Sequence, residues 1–146
     1  MEKIIESFSE QETRALGEQL GREALPGQVY CLEGDLGTGK TVLAQGFAAG
    51  LGVSGPVASP TFTIMQVYED GRLPFCHMDV YRLEDEEELE AIGGREMLDG
   101  DGVCLVEWGG IVRELLPEDC CYITVEKEPA RGTEYRRITL RRKDTL

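Results

Sequence analysis

Gly34-Asp35-Leu36-Gly37-Thr38-Gly39-Lys40-Thr41 fits the pattern G-x-x-x-x-G-K-[ST] at every fixed position. The apolar run Val29-Tyr30-Cys31-Leu32 precedes it, opened by Pro26-Gly27, and reads as a short strand. Lys40 to Leu51 follows as a helix that Gly52 ends. The chemistry of a phosphate cradle explains this spacing. Backbone N–H groups must wrap phosphate oxygens, so side chains have to be absent where the chain approaches them. Gly34, Gly37 and Gly39 meet that need, and the following helix points its unpaired N–H groups at the same place. Lys40 reaches the β- and γ-oxygens of a triphosphate, and the Thr41 hydroxyl ligates Mg²⁺. Asp35 would repel phosphate, so it is expected to point outward and is given no role. The chain holds no N-K-x-D guanine reader, which favours ATP over GTP.

The elements around the loop define the fold class. Residues 3–7 read as an opening strand. A helix follows from Ser9 to Ala24, with Ser9 and Glu12 forming a capping box and Leu16 and Leu20 on one face. Gly17 and Gly21 lie four apart in it and leave a shallow strip for a backbone or a ligand to approach. Thr61–Tyr68 and Arg72–Val80 read as a hairpin turning at Asp70-Gly71. Glu84–Ala91 reads as a short acidic helix ended by Gly93-Gly94. Val103–Val106 is apolar throughout, the pattern of a strand buried on both faces. Ile111–Leu116 reads as a short helix stopped by Pro117, and Tyr122–Val125 and Tyr135–Arg141 as closing strands. This order predicts an α/β, P-loop NTPase-like sandwich, a central mixed β-sheet flanked by helices, in one domain over residues 1–146.

Composition narrows the function classes. The net charge of −13 argues against an unaided grip on nucleic acid, which depends on Lys and Arg displacing counterions. Residues 127–146 nevertheless carry seven bases and three acids. That basic end is either a docking surface for an acidic partner or RNA, or a solvated last strand and tail. No stretch of 18 apolar residues exists, and Met1-Glu2-Lys3 does not open a signal peptide, so a cytoplasmic protein is expected. The five cysteines fit that expectation. Cys31, Cys76 and Cys104 sit in apolar runs, and no C-x-x-C pair appears.

A phosphate loop needs a carboxylate at the end of a neighbouring strand, to hold Mg²⁺ or to orient the attacking water. Asp79 ends Phe75-Cys76-His77-Met78-Asp79, and Glu107 ends Val103-Cys104-Leu105-Val106-Glu107. One serves the metal and the other the water, and the spacing does not divide the roles. The run Glu84–Glu88 reads as a solvated helix face and His77 as a packed strand residue. Trp108 is either a core aromatic or a surface that senses the site.

Four blocks stand in order: Gly-Asp-Leu-Gly-Thr-Gly-Lys-Thr at 34–41, Ser-Pro-Thr-Phe at 59–62, His-Met-Asp-Val-Tyr-Arg-Leu at 77–83 and Leu-Val-Glu-Trp at 105–108. Together they resemble the TsaE (YjeE) family of bacterial P-loop ATPases over about residues 5–140. Ser9-Glu10-Gln11-Glu12-Thr13 is similar to that family's opening. The resemblance implies an ATP-hydrolysing protein needed for threonylcarbamoyladenosine at position 37 of ANN-reading tRNAs. It would act with TsaB and TsaD, after TsaC makes threonylcarbamoyl-adenylate, and meet tRNA only through that complex. Hydrolysis would reset the TsaB–TsaD complex between turnovers. By the same resemblance Thr41 and Glu107 bind Mg²⁺, and Leu36, Gly37, Thr38, Gly39, Lys40 and Thr41 hold the phosphates. Glu10 and Thr13 lie near the nucleoside, and Asp79 supports hydrolysis. Thr61 acts as a switch residue, and Gly110 and a residue near Arg131–Thr133 touch nucleotide.

Two other readings compete. Small-molecule kinases of this class add an Arg-rich lid over the γ-phosphate, whereas Arg82, Arg95 and Arg113 are scattered here. A nucleotide-gated binding module with incidental hydrolysis is the third.

Overall fold

The structure, a computed structural model, describes residues 1–35, 38–55, 57, 64–81, 83–108 and 113–142. Its strands are β1 (Glu2–Ser7), β2 (Val29–Glu33), β3 (Met65–Tyr68), β4 (Phe75–Asp79), β5 (Val103–Glu107), β6 (Cys121–Lys127) and β7 (Arg136–Arg142). Its helices are α1 (Glu10–Glu23), α2 (Lys40–Gly50), α3 (Glu86–Ala91) and α4 (Gly94–Leu98). The strands form one seven-stranded sheet in the order β1-β7-β6-β2-β5-β4-β3. β2 pairs in parallel with β5 and β6, and β4 with β5. The β1–β7, β6–β7 and β3–β4 pairs are antiparallel. The sheet is therefore mixed, as the sequence predicts, and the class is the P-loop type of α/β fold.

Period-2 alternation sorts the central strands between two apolar layers. Tyr30, Leu32, Phe75, Val103, Leu105, Ile123 and Val125 face a core shared with Leu43 and Phe47 of α2 and with Leu51, which caps it. Val29, Cys31, Cys76, Met78, Cys104 and Val106 face a second core closed by Leu89 of α3 and Leu98 of α4. Because β2 and β5 are covered on both sides, their side chains read as nearly continuous apolar runs. Phe47 packs edge-on to Tyr30, ring centroids 4.9 Å apart, and against Phe75 at 5.6 Å.

The glycine strip on α1 is filled by backbone. α1 and α2 run in the same direction so closely that a Cβ at Gly17 or Gly21 would strike the carbonyl oxygens of Leu43 or Phe47. Gly46 and Gly50 of α2 answer in kind against Arg14 O and Glu18 O. This contact fixes the helix that carries Lys40 and Thr41 against the one that carries Glu10 and Thr13. The Ser9 cap holds as expected: its Oγ accepts from Glu12 N at 3.1 Å. Glu12 reaches back to Phe8 N, at 2.7 Å, one residue before the cap.

Two expectations need correcting. The hairpin does not turn at Asp70-Gly71; a loop over residues 69–74 joins β3 to β4. That loop's polar groups are drawn to the helix ends. Asp70 accepts from Ser54 N and Oγ, Arg72 N donates to Leu51 O at 2.6 Å, and the Arg72 guanidinium caps the carbonyls of Gly21, Arg22 and Ala24. Pro74 offers no ladder donor, so the strand begins at Phe75. The acidic helix does end before Gly93-Gly94, as the sequence predicts, and a second short helix follows. Gly93, at φ 84, caps α4, whose Leu98 closes the second core. Residues 113–115 form a 3-10 turn rather than part of an α-helix, and Ile111, Val112 and the predicted strand start at Thr61 lie outside the described residues. Smaller shifts separate the acidic helix, capped by Asp85, and β6, which extends to Lys127.

Candidate functional site

The loop after β2, the ends of β4 and β5, the start of α1 and the β6–β7 connection meet around one cleft of about 620 Å³. It opens at the carboxyl ends of the parallel strands, where α/β sheets bind ligands. Thr38, Gly39, Lys40 and Thr41 line it together with Asp79, Glu107, Glu10 and Thr13. The structure thus brings together eight of the residues selected from sequence. Leu36, Gly37, Gly110 and Thr61 lie outside the described residues, as does Arg82.

The loop's geometry follows from its glycines. Gly34 has φ 153, and a Cβ there would lie 2.6 Å from Val125 O. Gly39, at φ 98, sits in the left-handed region that L side chains rarely adopt, and from it α2 begins with its first N–H groups aimed at the cleft. Asp35 is exposed, as expected. Its contribution is its carbonyl, which accepts from Thr38 N at 3.3 Å and Thr38 Oγ1 at 2.8 Å. Arg136 of β7 pins the loop from the other side, donating from Nε to Thr38 O at 2.6 Å.

Lys40 is the decisive side chain. It is 7 % exposed, and its Nζ is buried without a hydrogen-bond partner. An ammonium has three donors, so an orphaned one is costly unless an acceptor arrives. Nζ rests 3.8 Å above the Trp108 ring, a weaker substitute for an anion. Burial pushes the Lys40 ammonium below the ordinary lysine range, while Glu107, Asp79 and Asp35 pull it back up. Trp108 holds φ 61, a rare conformation for a bulky residue. Its indole also meets exposed Tyr81 at 5.0 Å, so Trp108 lies between the cleft and the surface.

Asp79 and Glu107 stand side by side as register partners on β4 and β5. Both are buried, Asp79 7 % exposed and Glu107 5 %, so neither is a solvated strand end. Asp79 Oδ1 accepts from Tyr81 N at 3.1 Å, and Asp79 N donates to Ile64 O at 2.7 Å. Glu107 Oε2 lies 2.7 Å from His77 Nε2. His77 is packed, as the sequence suggests, and it also touches the site through Glu107.

Part of the lining joins the two ends of the chain. Thr13 Oγ1 hydrogen-bonds Ser7 Oγ at 2.7 Å. Glu6 accepts from Tyr135 OH at 2.8 Å and pairs with Arg131 at 2.7 Å, which holds its carboxyl below the usual range. These contacts fix Thr133, Glu134 and Arg136, which also line the cleft. Thr133 falls in the expected 131–133 window. Glu134 and Arg136 carry no sequence signal: one sits in a connection without a motif, and the other resembles any basic residue of a half-exposed strand.

The basic C-terminal segment is largely spent inside the chain. Arg137 pairs with Glu128 and Arg141 with Glu2, each within 3 Å. α3 keeps its acids mostly solvated. Among the described residues no group of three His, Cys, Asp or Glu side chains is arranged to hold a metal ion. Nor is any described helix long and apolar enough to cross a membrane. The five cysteines are buried as thiols.

Fold and cleft together define a P-loop-type α/β protein whose cleft holds a buried lysine ammonium and two buried carboxylates. The family model for the threonylcarbamoyl adenosine biosynthesis protein TsaE matches residues 7–138, and the chain belongs to that family. The Bacillus subtilis tRNA threonylcarbamoyladenosine biosynthesis protein TsaE is 48 % identical over 129 residues, 88 % of this chain and 78 % of that protein. The Treponema pallidum protein of the same name is 46 % identical over 112 residues, 77 % and 82 % of the two chains. The crystal structure of Bacillus subtilis YdiB superposes with a TM-score of 0.80 at 39 % identity, covering 96 % of this chain and 84 % of that one.

Proposed function

We propose that this protein binds ATP with Mg²⁺ in the cleft at the head of α2 and hydrolyses it to support threonylcarbamoyladenosine formation at position 37 of ANN-reading tRNAs. It acts in the cytoplasm with the TsaB–TsaD complex and resets that complex between turnovers. The observation that carries the nucleotide reading is the buried, unpartnered Lys40 ammonium beside the start of α2. The tRNA reading rests on the family.

The residues present fit both ligands. Lys40 and the first N–H groups of α2 supply donors for phosphate oxygens. Thr41, Glu107 and Asp79 are oxygen donors of the kind Mg²⁺ takes when it is held by one or two carboxylates and the substrate's phosphates. When bound, Mg²⁺ neutralises charge on the phosphate oxygens. Thr41 and Glu107 hold the metal, and Asp79 orients the water. Glu10, Thr13 and Thr133 form the side that faces the nucleoside.

The described arginines speak against a small-molecule kinase; Arg82 lies outside the described residues. Arg95 pairs with Glu90 and Asp99, and Arg113 with Glu33. Arg136, in the cleft, spends Nε and Nη1 on the carbonyls of Thr38, Thr133 and Tyr135. The γ-phosphate is left for a partner to shield.

The test is reconstitution with TsaB, TsaD, threonylcarbamoyl-adenylate and tRNA, counting modified tRNAs per TsaD. Adding this protein with ATP raises the count above one, and the Lys40→Ala variant does not. Equal counts with and without the protein, or rapid phosphorylation of a small molecule by the protein alone, would overturn the reading.

A further inference from the structure

His77 is two residues before Asp79 on β4 and shares its face of the sheet. Its side chain is 2 % exposed, and its ring stacks on Phe75, centroids 5.9 Å apart and planes 21° apart. A phenylalanine or leucine would fill this place without a polar atom. The imidazole instead leaves Nδ1 buried with no hydrogen-bond partner, which is unfavourable in an apolar surrounding. Its other nitrogen makes one contact, to Glu107 Oε2 at 2.7 Å. A carboxylate oxygen accepts here, so Nε2 is the donor of this contact.

We propose that His77 is a positioning residue for Glu107. By donating to Oε2 it fixes the rotation of the carboxylate and leaves Oε1 as the oxygen available to the cleft. The proposal rests on the reading of Glu107 as an Mg²⁺ ligand. Glutamate is a flexible side chain, and locking it beforehand removes ordering that metal capture would otherwise require. The orphaned Nδ1 shows that His77 is not there for its own hydrogen-bond satisfaction. Partners of this kind behind a metal ligand typically change metal affinity about 10–100-fold.

The test uses the full chain with ADP bound. Free Mn²⁺ is followed by its paramagnetic resonance signal, and ADP affinity is measured separately in EDTA by calorimetry. His77→Leu weakens Mn²⁺ binding about 10–100-fold and leaves metal-free ADP affinity within about twofold. His77→Gln places an amide N–H near the position of Nε2 and recovers Mn²⁺ binding to within about threefold of wild type. If the leucine variant fails to fold, His77→Phe takes its place with the same expectations. Wild-type Mn²⁺ affinity in the apolar variant overturns the proposal. So does a folded glutamine variant as weak as the apolar one, or joint loss of Mn²⁺ and metal-free ADP binding. Glu107→Gln separates the two claims. If it leaves Mn²⁺ affinity unchanged, the metal assignment itself fails; if it weakens Mn²⁺ while His77→Leu does not, only the role of His77 fails.

Discussion

Replacing Gly17 by alanine tests how the site is held. In an unpacked helix the change stabilises, by about 1 kcal/mol. Here the new methyl meets the Leu43 carbonyl oxygen closer than any ordinary contact, with Phe47 N at 3.0 Å and Leu43 C at 3.2 Å. All three atoms are backbone of α2, so no side-chain rotation relieves the clash. The helices must part by roughly 1 Å, and overpacking of this kind costs about 3 kcal/mol, the upper end of its usual range. Set against the propensity gain, the net destabilisation is about 2 kcal/mol. For a chain of this size that lowers Tm by roughly 4–8 °C. Urea unfolding followed by circular dichroism measures the free energy, and a thermal scan measures the shift. Because Lys40 and Thr41 open α2, nucleotide affinity falls as well, by several-fold. An alanine variant as stable as wild type, or more stable, would refute the close-packed helix pair and its role in placing Lys40.

Two further predictions concern the cleft walls. Trp108 is the only tryptophan, and Lys40 Nζ lies 3.8 Å over its ring. Adding ATP draws the ammonium to phosphate and changes the fluorescence, and Lys40→Met abolishes the change; a full response in that variant would contradict the contact. Glu6 is held below the usual glutamate range by Tyr135 and Arg131, so its stabilising effect is complete above about pH 4.3 and fades as pH falls through its lowered value. Glu6→Gln is therefore less stable than wild type near neutral pH, and the two converge in acid; a gap that persists at low pH would show that the carboxylate's charge is not the cause.

The features legible in the sequence were those whose physics is local. The phosphate loop shows because its glycines and lysine have fixed spacing between a strand and a helix. The Ser9 cap shows because the bond to Glu12 N spans three residues. β5 shows because burial on both faces leaves an unbroken apolar run. What stayed hidden depends on distant partners. Asp70-Gly71 carries turn chemistry, yet its neighbours are recruited to the ends of α1 and α2, and Pro74 delays β4. α4 is too short to show a helical period. The Glu107–His77 contact joins residues 30 apart in sequence, and Arg136 reaches Thr38 across 98. Gly17 and Gly21 sit between: their spacing announced a close approach without naming α2.

The most direct measurement of the central claim is calorimetric titration of Mg²⁺–ATP into the wild-type protein and a folded Lys40→Ala variant. Lys40 supplies charge-assisted hydrogen bonds worth about 1.5–3 kcal/mol, so the variant binds roughly 10–100-fold more weakly. Equal affinity in the two proteins, or no binding to wild type, would contradict the assignment of this cleft to a nucleoside triphosphate.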